Sequence, residues 1–183
     1  MRASNAPVDL VVVRASDVPR FVRDERSRLQ AGITGSDILW EEGCGPDAGD
    51  ELPISSGSTI FVGVTERLRR NVRSKEIRIE DLQNRMVVTK FPNITTEVFE
   101  GRGIAVEVFQ TPGKTEAVQY VYPDCDGILD VVSTGRTAKE NDLTVVENIL
   151  PVTVRLIDAG EQLTEKDQDI LDSFRSRLIK AYD

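Results

Sequence analysis

Residues 126–137 read Asp-Gly-Ile-Leu-Asp-Val-Val-Ser-Thr-Gly-Arg-Thr, an apolar, β-branched run that stops at a loop of hydroxyl residues and glycine. Such a run suits a buried strand of an α/β sheet, and the Ser-Thr-Gly-Arg-Thr segment supplies turn chemistry directly after it. The loop leads into Ala138-Lys139-Glu140, which reads as a helix start. A strand-loop-helix junction converges backbone N–H groups on one point, and the helix N-terminus adds partial positive charge there, so an anion is favoured. Gly135 lets the backbone approach closely, and Ser133, Thr134 and Thr137 offer hydroxyls. Asp126 and Asp130, at i and i+4, are suited to accept from vicinal hydroxyls or to hold a hydrated Mg²⁺. A turn whose hydroxyls merely cap a helix has the same local pattern, so the rest of the chain must decide.

The rest alternates strands and helices. Residues 8–13, 60–64, 86–88, 105–109 and 152–157 are strand candidates. Ser16 or Asp17 is placed to cap a helix with Pro19 in its first turn, carried on through residues 20–30. Residues 31–37 read as a glycine-bearing turn, 38–40 as the start of a helix or strand, and 43–53 as a surface loop. Residues 68–84 are a charged connection, 94–100 and 117–122 helices. Thr164 and Asp167 have the spacing of a capping box and open a last helix with Ile170, Leu171, Phe174, Leu178 and Ile179 on one face.

Composition limits the chemistry. Cys44 and Cys125 form no C-x-x-C pair and the 183 residues include no histidine, which removes most zinc sites and every histidine base. A net charge of −8 argues against nonspecific nucleic-acid binding, which needs a basic surface. With no apolar stretch near the ~20 residues of a membrane span and no apolar leader, the expectation is a cytoplasmic protein without a membrane partner. Arg67, Arg69, Arg70, Arg73 and Lys75 cluster, but interleaved Glu66, Glu76, Glu80 and Asp81 read as a solvated connector. Trp40 and Tyr120 are more often packing residues than adenine platforms.

Four segments in order resemble the ATP phosphoribosyltransferase family, and the resemblance runs from about Asp9 to the C-terminus. Val13-Arg14-Ala15-Ser16-Asp17-Val18-Pro19 is similar to its Arg-x-x-Asp-Ile-Pro segment, and Gly32-Ile33-Thr34-Gly35-Ser36-Asp37 to its Gly-Ile-x-Gly-x-Asp turn. Val88-Thr89-Lys90-Phe91-Pro92-Asn93 resembles its Ala-Thr-Lys-Tyr-Pro-Asn segment, and residues 126–137 resemble its phosphoribosyl pyrophosphate loop.

The resemblance implies a two-lobed α/β fold, like type II periplasmic binding proteins, with mixed sheets and flanking helices. Residues 1–84 would form the first lobe, 85–150 the second lobe with the donor loop, and 151–183 the return to the first lobe and the C-terminal helix. It implies transfer of ribose 5-phosphate from phosphoribosyl pyrophosphate to N1 of ATP, dependent on Mg²⁺, with pyrophosphate released. Ser133, Thr134, Gly135, Arg136 and Thr137 would hold the 5-phosphate, and Asp130 with Asp126 the ribose hydroxyls. Lys90 and Glu116 would line the site beside Asp130 as catalytic residues, with Gly32, Thr34, Gly35 and Asp37 toward ATP. The metal ligands stay unassigned.

The chain resembles the short form, which lacks the C-terminal regulatory domain, so a homo-oligomer and a histidyl-tRNA-synthetase-like regulatory subunit are the expected partners. The family's opening strand, Pro-Lys-Gly-Arg turn and helix have no counterpart here, which raises an alternative. That alternative is a non-catalytic or base-switched paralogue that binds the donor or supports a complete subunit.

Overall fold

The computed structural model of the chain describes residues 8–72, 76–112, 115–133, 138 and 141–182, the side chain of Glu116 excepted. It is a mixed α/β protein with strand order β1-β6-β2-β5-β3-β4. The strands are β1 (Ala31–Gly35), β2 (Asp50–Val64), β3 (Arg85–Thr89), β4 (Val106–Gln110), β5 (Cys125–Val132) and β6 (Thr144–Asp158). The helices are α1 (Val18–Arg23), α2 (Ser36–Glu41), α3 (Glu66–Asn71), α4 (Pro92–Glu100) and α5 (Glu165–Tyr182). Contacts divide the described residues into one unit up to Ser56 and from Thr153 on, and a second unit, Gly57–Val152.

In the first unit β1 runs antiparallel to β6, from Ala31 opposite Asp158 to Gly35 opposite Val154. The glycine-bearing turn expected at 31–37 is therefore a strand followed by a helix. Gly32 is explained by packing: a Cβ there would sit 2.4 Å from Val18 Cγ1 and 3.0 Å from Val22 Cγ2, so only glycine lets α1 lie this close to β1. The helix expected through residue 30 stops at Arg23. Asp24 ends it by accepting from the backbone N–H of Arg26 at 3.0 Å and from its guanidinium at 2.9 and 2.8 Å, a local turn that competes with helical pairing. Pro19 does lie in the first turn, but Asp17 makes no side-chain cap there.

Residues 8–13 form no strand. Leu10, Val11 and Val12 are exposed, and an apolar run needs a ladder partner to become a strand, which no described segment supplies. β2 begins at Asp50, inside the loop expected to reach residue 53, and β6 begins at Thr144 rather than 152. In β2 polar residues and Pro53 break up the apolar positions, and in β6 Glu147, Asn148 and Pro151 do, which hides both stretches from a search for apolar runs.

α5 opens as its spacing predicts. Asp167 N–H donates to Thr164 Oγ1 at 3.2 Å, and Thr164 N–H donates to Asp167 Oδ2 at 3.1 Å. Leu171, Phe174 and Leu178 pack against Leu52, Leu156 and Val154, while Ile179 stays 38% exposed.

Gly49 combines φ of +71° with a Cβ direction that would meet the Leu156 carbonyl oxygen at 2.6 Å. Gly49→Ala is expected to cost about 2–5 kcal/mol, the sum of left-handed strain and overpacking against backbone. Urea unfolding followed by circular dichroism checks it.

The second unit is built on β5, antiparallel to β2 on one side and parallel to β3 on the other, with β4 parallel to β3 beyond. Phe61, Val88, Cys125, Ile128, Ala138 and Leu143 form a core on one face. α4 buries Ile94, Val98 and Phe99, with Pro92 in its first turn. The short helix expected at 117–122 is a 3-10 helix over Thr115–Tyr120, and the charged connection expected at 68–84 takes in the end of α3 and a 3-10 turn at Ile79–Leu82. The helix start read at 138–140 lies, Ala138 apart, outside the described residues.

Candidate functional site

The chain turns sharply where β3 ends. Thr89, fully buried, accepts through Oγ1 from the Phe91 N–H at 2.8 Å, and Pro92 then starts α4 with its φ preset for a helix. Lys90 is left between strand and helix, 40% exposed, with Nζ 3.4 Å from Oδ2 of Asp130. Asp130 lies near the end of β5, its side chain 11% exposed, and its Oδ1 accepts from the Val131 N–H at 2.8 Å.

Beside this pair is a cavity of about 120 Å³ whose lining includes Phe61, Lys90, Ile128, Asp130, Val132 and Leu143. It is smaller than the ~300 Å³ at which sites for whole ligands begin, so it suits one polar portion of a larger molecule. It sits at the carboxyl ends of the parallel strands β3 and β5, where open α/β sheets bind ligands. An apolar floor lowers the local dielectric and strengthens whatever the ammonium and carboxylate contact. The carboxylate accepts from hydroxyls; the ammonium attracts an anion.

Ser133 follows β5 directly and is exposed. Thr134, Gly135, Arg136 and Thr137 lie outside the described residues, as do Arg73, Lys75 and the side chain of Glu116. Lys90, Asp130 and Ser133 are thus near one another at one end of the unit. Asp126 is not with them: four residues of strand at ~3.3 Å each separate it from Asp130 by roughly 13 Å.

Asp126 is instead 1% exposed, with Arg67 Nη1 3.0 Å from its Oδ1 and Arg85 Nη1 3.5 Å from its Oδ2. Burial pushes its carboxyl above the ordinary value, opposed by the two arginines. The sequence reading missed this role for Arg67, yet it left a signal. Arg69 and Arg70 have Glu66 at i−3 and i−4 and pair with it at 3.0 and 3.1 Å. Arg67 has no acidic residue at helical spacing and reaches off α3 to Asp126 and, at 3.3 Å, to Asp124.

In the first unit, Thr34 donates its hydroxyl to the Ala15 carbonyl at 2.9 Å, and Gly32 serves the packing of α1. Gly35 precedes α2, and Asp37 lies in its first turn. Trp40 is half-buried on α2 and Tyr120 is 67% exposed.

Cys125 is 2% exposed, and burial first, with Asp126 nearby, pushes its thiol up to about 12. It stays protonated at pH 8, so a thiolate-specific reagent is expected to label Cys44 in the folded protein and Cys125 only after unfolding. Mass spectrometry of labelled protein with and without denaturant reads this directly.

Taken together, the second unit is a mixed α/β domain with a cation–carboxylate pair at the carboxyl ends of parallel strands. Residues 14–180 match the family model HisG, ATP phosphoribosyltransferase. The ATP phosphoribosyltransferase of Methanopyrus kandleri is 36% identical over 157 residues, covering 85% of this chain and 52% of that protein. That of Caldanaerobacter subterraneus subsp. tengcongensis is 33% identical over 165 residues, covering 90% of this chain and 72% of its own length. This chain belongs to the ATP phosphoribosyltransferase family.

The fold agrees. A chain from the ATP phosphoribosyl transferase (HisG:HisZ) complex of Thermotoga maritima superposes with a TM-score of 0.71 at 22% identity, covering 92% of this chain and 78% of that one. The chain spans about half the length of several of the curated relatives it matches, 52% to 57% of four of them.

Proposed function

We propose that this chain binds phosphoribosyl pyrophosphate at the Lys90–Asp130 cavity and takes part in transferring its ribose 5-phosphate to N1 of ATP, the first step of histidine biosynthesis. The observation that carries the reading is the Lys90–Asp130 pair, 3.4 Å apart, with Asp130 on the strand that leads into the Ser133–Thr137 sequence. Asp130 accepts from the ribose hydroxyls, Lys90 balances its charge and faces the departing pyrophosphate, and residues 133–137 take the 5-phosphate. Glu116 stands as a further donor residue on the family resemblance. Recognition of ATP by Gly32, Thr34, Gly35 and Asp37 rests on the same resemblance.

The chemistry suits a chain without histidine. N1 of adenine is already a nucleophile, so holding it in line with the ribose carbon and stabilising the leaving diphosphate supply most of the rate. Mg²⁺ would neutralise that diphosphate. Among the described residues no group of three potential ligands forms a cage, Asp130 faces an ammonium and Asp126 two arginines. These residues do not hold the ion by themselves; Mg²⁺ commonly binds through substrate phosphates and one or two carboxylates.

No helix among the described residues is long and apolar enough to cross a membrane; on the family resemblance, the chain is assigned to the cytoplasm. The Thermotoga relative was solved as a complex of two kinds of subunit, and a regulatory subunit of that kind, together with self-association, is the proposed partnership.

Mixing the purified chain with Mg²⁺, phosphoribosyl pyrophosphate and ATP, alone and with such a subunit, is expected to release pyrophosphate. The segment at residues 8–13, exposed from Val8 to Val12 and paired with no described strand, favours one second reading, a donor-binding chain that supports another subunit. Donor affinity without release under either condition would establish that reading. Neither affinity nor release would exclude both.

A further inference from the structure

β5 does not alternate regularly. Along β3, Met86 lies opposite Cys125 but Val87 lies opposite Gly127, so Asp126 is an extra residue with no counterpart. This is a β-bulge in a parallel pair, a rare position for one. Its effect is visible in the core. Cys125 and Ile128 are three residues apart, and regular alternation would put them on opposite faces, yet both pack with Phe61 and Val88. Past the bulge, Asp130 follows Ile128 onto that same face, directly across from Phe61, and both line the cavity. Without the extra residue, keeping Cys125 in place would turn Asp130 to the opposite face, away from Lys90.

The bulge is pinned from several directions. The Asp126 carboxylate is gripped by Arg67 from α3 and Arg85 from β3. Thr65 donates its hydroxyl to the Cys125 carbonyl at 2.9 Å and its N–H to the Asp126 carbonyl at 2.9 Å, and the Cys125 thiol donates to the Gly127 carbonyl at 3.6 Å.

We infer that Asp126 is a positioning residue: clamped by Arg67 and Arg85, it locks the bulge that turns Asp130 into the Lys90 cavity, and it does not itself touch the ligand. This deepens the donor-binding reading, on which its functional arm rests. It also explains why a buried carboxylate stands about 13 Å along the strand from the site it shares a motif with.

The test has two arms. In the ligand-free chain, Asp126→Asn and, at the 37% exposed arginine, Arg67→Gln are compared by amide hydrogen exchange. Protection within β5 is expected to fall about tenfold or more in both while β4 is unchanged. Unchanged β5 protection, or equal loss in β4, would overturn the clamp whether or not any ligand binds. In the second arm, phosphoribosyl pyrophosphate with Mg²⁺ is titrated calorimetrically. Asp126→Asn is expected to weaken it about tenfold in the native chain but less than twofold in an Asp130→Asn background. Equal weakening in both backgrounds would mean that Asp126 contacts the donor and would overturn the proposal. A native chain that binds no donor defeats the functional reading and leaves the exchange result to judge the clamp.

Discussion

Asp130→Asn is expected to weaken phosphoribosyl pyrophosphate about 10- to 100-fold and to lower pyrophosphate release at least as much. The carboxylate is 11% exposed, and Asn keeps its shape while removing the charge and half of its accepting capacity. Hydrogen bonds from ribose hydroxyls to an ionised partner contribute about 1.5–3 kcal/mol each, which sets the range. The substitution also leaves the Lys90 ammonium without its anion at 3.4 Å, so Lys90 is free to follow bulk solvent rather than face the donor. Because Asn fills the same space and the Lys90 ammonium, 40% exposed, can be hydrated in place of its partner, the thermal midpoint should move little. Loss of donor binding together with loss of folding would point to a structural role for Asp130 instead.

Phe99→Ala is expected to destabilise the protein by about 3–5 kcal/mol, the usual cost of emptying an aromatic site in a packed core. Phe99 is 1% exposed and is among the largest fully buried side chains, on the face of α4 that also buries Ile94 and Val98. α4 follows directly on the Thr89–Pro92 turn, and its Thr95 hydroxyl donates back to the Phe91 carbonyl of that turn at 2.7 Å. A cavity under α4 therefore loosens the segment that holds Lys90. Guanidinium unfolding reads the change in stability, and a loss below about 1 kcal/mol would mean that α4 is not held by this contact.

How much of this was legible in the sequence varies by element, for physical reasons. β3, the core of β5, α4 and the capped start of α5 were readable because apolar period, proline and capping spacing all agree locally. β1 was misread because Gly32 and Gly35 look like turn residues, whereas Gly32 is set by the approach of α1, a tertiary fact. α1 ended early because Asp24 found Arg26, and residues 8–13 stayed unpaired because a strand is a property of two segments. In the site, Lys90 and Asp130 were named and are found together. Asp126 was grouped with them at i and i+4, a spacing that brings side chains together on a helix but separates them along a strand. Its bulge could not be seen at all, since it exists only in the register between β5 and β3.

The most direct test of the central claim is a calorimetric titration of phosphoribosyl pyrophosphate, with Mg²⁺, into the native chain and into Asp130→Asn. One donor per chain in the native protein, weakened 10- to 100-fold by the substitution, is the predicted result. No binding by the native chain, or equal affinity in both proteins, would contradict it.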